Sequence, residues 1–401
     1  YAHVRVKPIL NLDRAHQRVN VRFTVDPGPL VTVRAIRFFG NTITQDRVLR
    51  REFLQYESAL FSSRLIQESV RRVNNLGYVR GAQCQPVDVT NRLDTVDLDC
   101  FVTEAPSISM GIAAGYGSQN GALFQLNFSH RSLFGTGYGV DFSATRMISA
   151  QSASVRLMNP YFTDSGVSQD FSLYVNRFTP SKNNISPYRT QGFGAILDYG
   201  IPIAATHRMT LGVGAKHTDV RLASGVADSI QDFVTAHGTV FNELAAHVGV
   251  SHDHLDEAIF PHTGTAFNLD AEVGLPIQSA LRFFKVTGHA NWFYPIAHSD
   301  WILQVNGGAG YGRSYGRYGA ELPFFKNYFL GGMQTVRGFS ANSLGPHDSK
   351  NRAIGGSVQA YASAAIILPQ WFNEDVRLSV FLDGGGVGTR SIQSSNARYS
   401  A

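Results

Sequence analysis

The sequence predicts a mainly β protein, a transmembrane antiparallel β-barrel that follows a small α/β unit, and three observations lead to this fold class. Charged residues make up only 16% of the 401 residues, while glycine (39), phenylalanine (27) and tyrosine (16) are abundant. The mean hydropathy is −0.10, and no apolar run approaches the roughly 18 residues that a spanning helix needs. From Ser107 onward, segments of about ten residues alternate between apolar and polar side chains, as barrel strands with one face toward lipid do.

A large soluble all-β protein is the alternative fold class, because its half-buried strands alternate in the same way. Two details favour the membrane. Aromatic side chains stand near the ends of predicted strands, where a barrel has its interfacial girdles; Tyr138, Trp292, Tyr294 and Trp301 are examples. The second face of these strands is small and hydrophilic, which suits a water-filled lumen.

The first 27 residues read as two short strands, Tyr1–Pro8 and Arg18–Val25, joined by a polar turn. No further segment is at hand to complete a core with them. We therefore expect residues 1–27 to be the remnant of a preceding domain.

Residues 28–105 are predicted to form one complete unit in the order β-α-α-β-β. The stretch Val31–Phe39 alternates as a strand, and Thr44 is a suitable N-cap for a helix through about Gln55. A second helix is expected from Ser62 or Ser63, with Gly77 at its C-cap position. Its apolar face consists of Ile66, Val70, Val73 and Leu76. Two strands, about 79–87 and 95–103, complete the unit.

Both cysteines lie on the final hairpin of this unit. A turn centred near residue 92 places Cys84 directly opposite Cys100, and such a pair of antiparallel positions approaches the geometry of a disulfide. Two reduced thiols in the core are the alternative. An oxidising compartment favours the disulfide.

The barrel is expected over residues 106–401. Thirteen strands can be counted between residues 107 and 385, and a fourteenth begins near Ala397. Because bacterial single-chain barrels have an even number of strands and must close, we expect the barrel of this chain to be incomplete at its C-terminus. The longest connection, residues 314–353, follows the eleventh strand, and loops of this length are usually functional or disordered.

The long connection contains an apolar motif around a single arginine, Val336-Arg337-Gly338-Phe339. A freely solvated loop does not need this apolar content, so we expect the loop to fold back into the lumen with its guanidinium on a carboxylate. An arginine that simply faces water is the alternative. Alternation in the thirteenth strand places Asp383 on the lumenal face, and the three glycines after it leave room for another backbone.

These residues resemble a known family. Val336-Arg337-Gly338-Phe339 is similar to the VRGF signature of loop 6 in the BamA family, the insertase subunits of the β-barrel assembly machinery, and the β-α-α-β-β unit resembles their POTRA domain. The resemblance spans nearly the whole chain. The other segments that carry it are Val48-Leu49-Arg50-Arg51-Glu52, Asn75-Leu76-Gly77-Tyr78, Leu133-Phe134-Gly135-Thr136-Gly137-Tyr138, Asn159-Pro160-Tyr161-Phe162 and Phe260-Pro261-His262-Thr263-Gly264.

The resemblance implies a barrel of 16 strands, in which Arg337 bonds an acidic residue on the thirteenth strand, here Asp383. A second acidic partner is frequent in the family on the strand before, and its position is occupied here by Ala365. The resemblance also implies a seam at the first barrel strand, whose edge templates client strands. The residues of this strand are Ser107, Ile108, Ser109, Met110, Gly111, Ile112, Ala113, Ala114, Gly115 and Tyr116.

The function implied by the resemblance is the folding and insertion of β-barrel proteins into the bacterial outer membrane, with the N-terminal domain in the periplasm. Its partners would be unfolded outer-membrane clients, periplasmic accessory lipoproteins and lipid. The alternative is a related POTRA-barrel transporter, either a two-partner secretion pore or the translocation and assembly module type.

The residues themselves point to neither an enzyme nor a cofactor. We find no nucleophile–base pair, phosphate-binding loop or pair of carboxylates in a plausible cleft. The spacing His252-x-His254 is that of a metal pair, but it falls in a predicted turn without further ligands, and we expect no metal there. A net charge of +5 is too mild and dispersed to indicate nucleic acid.

Overall fold

The computed structural model describes residues 5–13, 18–90, 92, 94–117, 121–180, 184–277, 280–296, 300–319, 321–369, 376–392 and 397–400. The chain divides into two compact units. The first comprises residues 1–109 with 129–140, and the second comprises residues 110–128 with 141–401.

The first unit begins with a two-stranded antiparallel sheet. Its strands are β1 (Arg5–Asp13) and β2 (Arg18–Asp26), with Arg5 opposite Asp26. Parts of the two predicted strands and of their turn, residues 1–4 and 14–17, lie outside the described residues. The assignment of residues 1–27 to a preceding domain stays a prediction.

The predicted β-α-α-β-β order is confirmed. Its elements are β3 (Thr32–Phe39), α1 (Asp46–Arg50), α2 (Ser63–Asn74), β4 (Val79–Asp88) and β5 (Thr95–Glu104). The sheet order is β3-β5-β4, with β5 parallel to β3 and antiparallel to β4. Alternate residues of the central strand β5 point into the core, where Leu98 is fully buried, and α2 covers them with Ile66 and Val73.

The first helix is shorter than predicted, since α1 ends at Arg50 and not near Gln55. The physical reason is the side chain of Gln55, which is almost fully buried and bonds three backbone groups of the following turn. These bonds stabilise an irregular path in place of a further helical turn. The N-cap position is taken by Gln45, one residue after the predicted Thr44.

Of the two caps predicted for α2, the one at the N-terminus is correct and the one at the C-terminus is wrong. Ser62 is the N-cap, and its hydroxyl accepts the backbone N–H of Leu65. The C-cap is Asn75 and not Gly77. Asn75 has right-handed helical backbone angles, so no residue with positive φ is needed to end the helix.

The second fold element is a 14-stranded antiparallel sheet in which each strand pairs with its neighbours in sequence. Its strands are β6 (Ile108–Gly117), β7 (Gly121–His130), β8 (Gly139–Arg146), β9 (Ala150–Asn159), β10 (Ser168–Phe178), β11 (Tyr188–Ala204), β12 (His207–Leu222), β13 (Val240–Leu255), β14 (Gly264–Gly274), β15 (Phe283–Pro295), β16 (Ile302–Ser314), β17 (Val358–Ile367), β18 (Ser379–Gly388) and β19 (Ala397–Ser400). The mainly β fold with an antiparallel barrel sheet is thereby confirmed. A helix α3 (Asp228–His237) lies between β12 and β13. Among the residues that the structure describes, none of the helices combines the length and the apolar character required to traverse a bilayer.

The two faces of the sheet differ as the alternation predicted. In β18, Val380 and Leu382 are 68% and 57% exposed, whereas Asp383 is only 1% exposed. The apolar face is thus turned outward, and the polar face carries the contacts described next.

Candidate functional site

The connection between β16 and β17, here called the long loop, folds onto the polar face of the sheet. Isolated β-bridges hold its backbone together, and they join Tyr328 to Gly356, Leu330 to Leu344 and His347 to Ala353. The loop is therefore a folded element, and its motif has a defined place.

An apolar cluster holds the motif of residues 336–339 against the sheet. Leu330, Val336 and Leu344 of the long loop pack against Val387 of β18, and all four side chains are buried. Val336 has no exposed surface at all. This packing accounts for the apolar residues that the sequence places in the loop, because burial of each such side chain stabilises the docked conformation by about 1.5–3 kcal/mol.

Arg337 lies on Asp383 in a bidentate pair. Its Nε donates to Oδ2 and its Nη2 to Oδ1, both at 2.7 Å, and its backbone N–H also donates to Oδ2 at 2.9 Å. The guanidinium stacks on the ring of Phe381, with its central carbon 3.6 Å from the ring centroid. The Asp383 side chain is fully buried, and the Arg337 side chain is 27% exposed.

Ser363 is a partner of Arg337 that the sequence reasoning missed. Its hydroxyl accepts Nη2 of Arg337 at 2.8 Å. Ser363 of β17 lies directly across from Asp383 of β18, whereas Ala365 lies across from Phe381. The register of these two strands would have identified Ser363, since directly opposed residues face the same side of a sheet. The guanidinium is therefore held by one carboxylate and one hydroxyl.

Close approach of the loop to the wall depends on a glycine. A Cβ added at Gly385 would lie 2.8 Å from Cβ of Tyr361 and 3.0 Å from Cγ2 of Val336. At Gly384 the nearest atom would be 3.7 Å away, an ordinary contact. The prediction that the glycines after Asp383 make room for another chain segment thus points to Gly385 in particular.

The predicted seam strand corresponds to β6, which begins one residue later than expected and leaves Ser107 just outside it. Within the described sheet, β6 is one end strand and β19 is the other. Every residue from Ile108 to Tyr116 is exposed, and a Cβ at Gly111 or Gly115 would meet no atom within 4 Å. A role as the seam stays a prediction.

The two cysteines are joined in a disulfide. Cys84 and Cys100 are direct partners in the β4–β5 register, with their Cα atoms 4.1 Å apart. The Cys100 end of the bridge is buried in the core of the β-α-α-β-β unit. Of the two alternatives left open by the sequence, the structure contains the disulfide and not the reduced thiols.

Glu104, at the end of β5, binds a backbone turn through its carboxylate, and no sequence motif predicted this contact. Its oxygens accept the successive backbone N–H groups of Thr42, Ile43 and Thr44 at 3.0, 3.0 and 2.6 Å. Partial burial opposes ionisation, but these hydrogen bonds outweigh it and lower the pKa of Glu104 to about 2. The carboxylate thereby stabilises the turn that leads into α1.

The histidine pair is engaged in local contacts. Nε2 of His252 lies 3.0 Å from the hydroxyl of Thr265, and the rings of His252 and His254 are 6.4 Å apart. In the part of the chain that the structure describes, no three His, Cys, Asp or Glu side chains come together as metal ligands would.

In comparisons with known proteins, two family models match the chain. The sequence model of the Omp85 superfamily domain matches residues 132–401. The POTRA model, described as a surface antigen variable number repeat, matches residues 31–105.

Individual proteins and solved structures also resemble the chain. The outer membrane protein assembly factor BamA of Neisseria meningitidis is 31% identical over 414 residues, which cover 99% of this chain and 51% of that protein. The crystal structure of Haemophilus ducreyi BamA lacking POTRA domains 1–3 superimposes with a TM-score of 0.85 at 25% identity, over 97% of this chain and 78% of that one. CdiB from Escherichia coli, at 17% identity over 99% of this chain and 72% of its own, has a TM-score of 0.57 and shares the fold alone. The chain spans about half the length of the curated relatives it matches.

Proposed function

This chain belongs to the Omp85 superfamily, and from that premise we propose that it folds and inserts β-barrel proteins into the bacterial outer membrane. It is itself an outer-membrane protein, with its POTRA domain in the periplasm. The assembly-factor relatives and the BamA crystal structure favour this function over that of a related POTRA-barrel transporter.

The observation that carries the proposal is the docked motif. Arg337 reaches Asp383 and Ser363 from a loop that packs on the same wall through Val336. Such a contact braces β17 and β18 from the lumenal side. We infer that this bracing keeps the C-terminal part of the sheet in a fixed shape while the first barrel strand acts on a client.

The proposed mechanism is β-augmentation at β6. When the barrel parts beside β6, this strand presents backbone N–H and C=O groups that an incoming strand can pair with. In lipid an unpaired backbone group costs several kcal/mol, so a client strand gains strongly by pairing with such an edge. The step is driven by client folding and requires neither a nucleotide nor a covalent intermediate, which makes the protein a non-catalytic insertase.

The proposed partners follow from this mechanism. Unfolded outer-membrane proteins are the clients, the surrounding lipid receives them, and the POTRA domain is the surface for clients and accessory lipoproteins. No nucleic acid and no cofactor take part.

A reconstitution tests the proposal. The protein is placed in liposomes together with the natural segments that flank this sequence. An unfolded eight-stranded client is then added. Folding of the client is followed by its altered mobility on unheated gels. We expect folding at least about tenfold faster than in liposomes that hold an unrelated porin, which corresponds to lowering the barrier by about 1.4 kcal/mol. Equal rates in the two kinds of liposome would refute the proposal.

A further inference from the structure

A second cluster of charges lies under the long loop, away from the Arg337 motif. It is built on two cross-strand pairs of the inner wall. Lys216 of β12 lies opposite Glu243 of β13, and Glu272 of β14 lies opposite Lys285 of β15. Opposite charges at directly opposed positions stabilise each other, and the wall itself carries two ammonium groups and two carboxylates here.

Lys326 of the long loop inserts its ammonium between the two carboxylates. Nζ donates to Oε1 of Glu243 at 2.8 Å and to Oε1 of Glu272 at 3.2 Å. The Lys326 side chain is only 10% exposed and that of Glu243 only 7%. The ammonium also lies 4.2 Å from the ring centroid of Phe283, where a desolvated cation is attracted by the aromatic face.

The backbone around Lys326 is held as well. Nζ of Lys285 donates to the carbonyl oxygen of Lys326 at 3.0 Å. Two residues further on, the hydroxyl of Tyr328 donates to the carbonyl oxygen of Val286 at 2.8 Å. Side chain and backbone of this segment are therefore bound to the same part of the wall, β13 to β15.

We infer that Lys326 is a positioning residue, a second anchor that fixes the first part of the long loop on β13–β15 and so delivers Arg337 to β17 and β18. Because one end of the segment 326–337 is already bound, docking of the other end becomes an intramolecular event with a high effective concentration. The two anchors lie on different strands, so the loop spans the wall between them. The inference deepens the proposed function, because it concerns the same docked loop.

The chain offers a direct probe of docking. Val336 is fully buried in the docked loop, so the substitution Val336→Cys introduces a thiol that is shielded from maleimide until the loop opens. The two native cysteines are joined to each other and do not react without a reductant. The labelling rate of folded, membrane-inserted protein therefore reports the open fraction of the motif and is independent of client assembly.

The experiment compares four changes in the Val336→Cys background. Asp383→Ala removes the first anchor, which is the Arg337–Asp383 pair, and gives the labelling rate of an open motif. Lys326→Ala removes the second anchor, and Lys326→Arg restores a cation that can bond both carboxylates. Lys350→Ala is the matched control, since Lys350 is an exposed lysine of the same loop.

We expect Lys326→Ala to raise the labelling rate by about tenfold or more toward the Asp383→Ala rate, while Lys326→Arg and Lys350→Ala stay within about twofold of the parent. A Lys326→Ala protein as well protected as the parent overturns the inference, because the motif then docks without the second anchor. If Lys326→Ala does not insert, Glu243→Ala removes one of the same bonds from the wall side and decides in the same way.

The result also separates this inference from the proposed function. Rapid labelling of Lys326→Ala with unchanged client folding supports the anchor and counts against the need for a docked loop in assembly. Protected labelling with impaired client folding counts against the anchor and leaves the assembly function in place.

Discussion

Removal of the Asp383 carboxylate is the most informative perturbation of the docked loop. Asp383→Ala deletes three charge-assisted hydrogen bonds, two from the guanidinium of Arg337 and one from its backbone N–H. It leaves the guanidinium with Ser363 and with the ring of Phe381. Arg337→Ala deletes the same two guanidinium bonds together with the bond to Ser363 and the stacking on Phe381, and leaves the backbone bond in place.

The magnitude follows from burial. Loss of one partner from a buried pair costs about 3–5 kcal/mol, and the 27% exposure of the Arg337 side chain places this pair near the lower limit. We expect Asp383→Ala and Arg337→Ala each to lower the free energy of unfolding by about 3 kcal/mol, because each deletes three hydrogen bonds and leaves a charge without its partner. Ser363→Ala removes a single hydrogen bond and should cost about 1 kcal/mol.

The measurement is a double-mutant cycle on urea unfolding in detergent micelles, read from gel mobility. The coupling between Arg337→Ala and Asp383→Ala should be about 2 kcal/mol, since the double variant has no pair left to lose. Client folding in liposomes should fall in the same order as stability. Asp348→Ala is the matched control. Its carboxylate is also nearly buried and pairs with Arg352, but both residues belong to the long loop.

Two outcomes would refute this reasoning. Additive losses in the cycle would mean that Arg337 and Asp383 do not act as a pair. An equal loss of client folding in Asp348→Ala would mean that any ion pair of the loop suffices, and contact with the wall would then have no special role.

Three further predictions concern other parts of the chain. Gly385→Ala should open the loop and raise the maleimide labelling of Val336→Cys, because its Cβ would lie 2.8 Å from Cβ of Tyr361, while Gly384→Ala should leave labelling unchanged; equal effects would contradict the close approach. The folded-state pKa of Glu104 is lowered from 4.5 to about 2, so its contribution to POTRA stability is fully present above about pH 5 and is lost as the pH falls toward about 2. Glu104→Gln should therefore destabilise the domain at neutral pH, with a difference from the parent that shrinks in acid urea titrations; a constant difference would speak against the charge. Free-thiol labelling of denatured, unreduced protein should find neither Cys84 nor Cys100, and Cys84→Ser with Cys100→Ser should cost about 3 kcal/mol for a loop of this length; labelling of both thiols would contradict the bridge.

Much of the candidate site was predictable because its signals are local. Alternation along one strand is enough to place Asp383 on the inner face, and it correctly separated this residue from Val380 and Leu382. The apolar character of the loop was enough to predict that Val336 is buried and not solvated. Such patterns need only the sequence, since the side-chain period of a strand is two.

The predicted helix boundaries were wrong where a contact with a residue far away in the sequence outweighed a local preference. Thr44 and Gly77 are good capping residues by type, yet α1 begins after Gln45, and α2 ends at Asn74 with Asn75 as its C-cap. The backbone of Thr44 is instead bound by Glu104, sixty residues further along the chain. Local propensity is worth a fraction of the energy of such a carboxylate contact, so the contact decides the boundary.

By itself, then, the sequence determined the fold class, the strand faces and the pairing of Arg337 with Asp383. Only the tertiary structure decided that Ser363 supplies the second partner and that Lys326 lies between Glu243 and Glu272. The physical reason is that strand alternation belongs to a single chain segment. The register between strands and the path of a long loop depend instead on contacts among residues far apart in sequence.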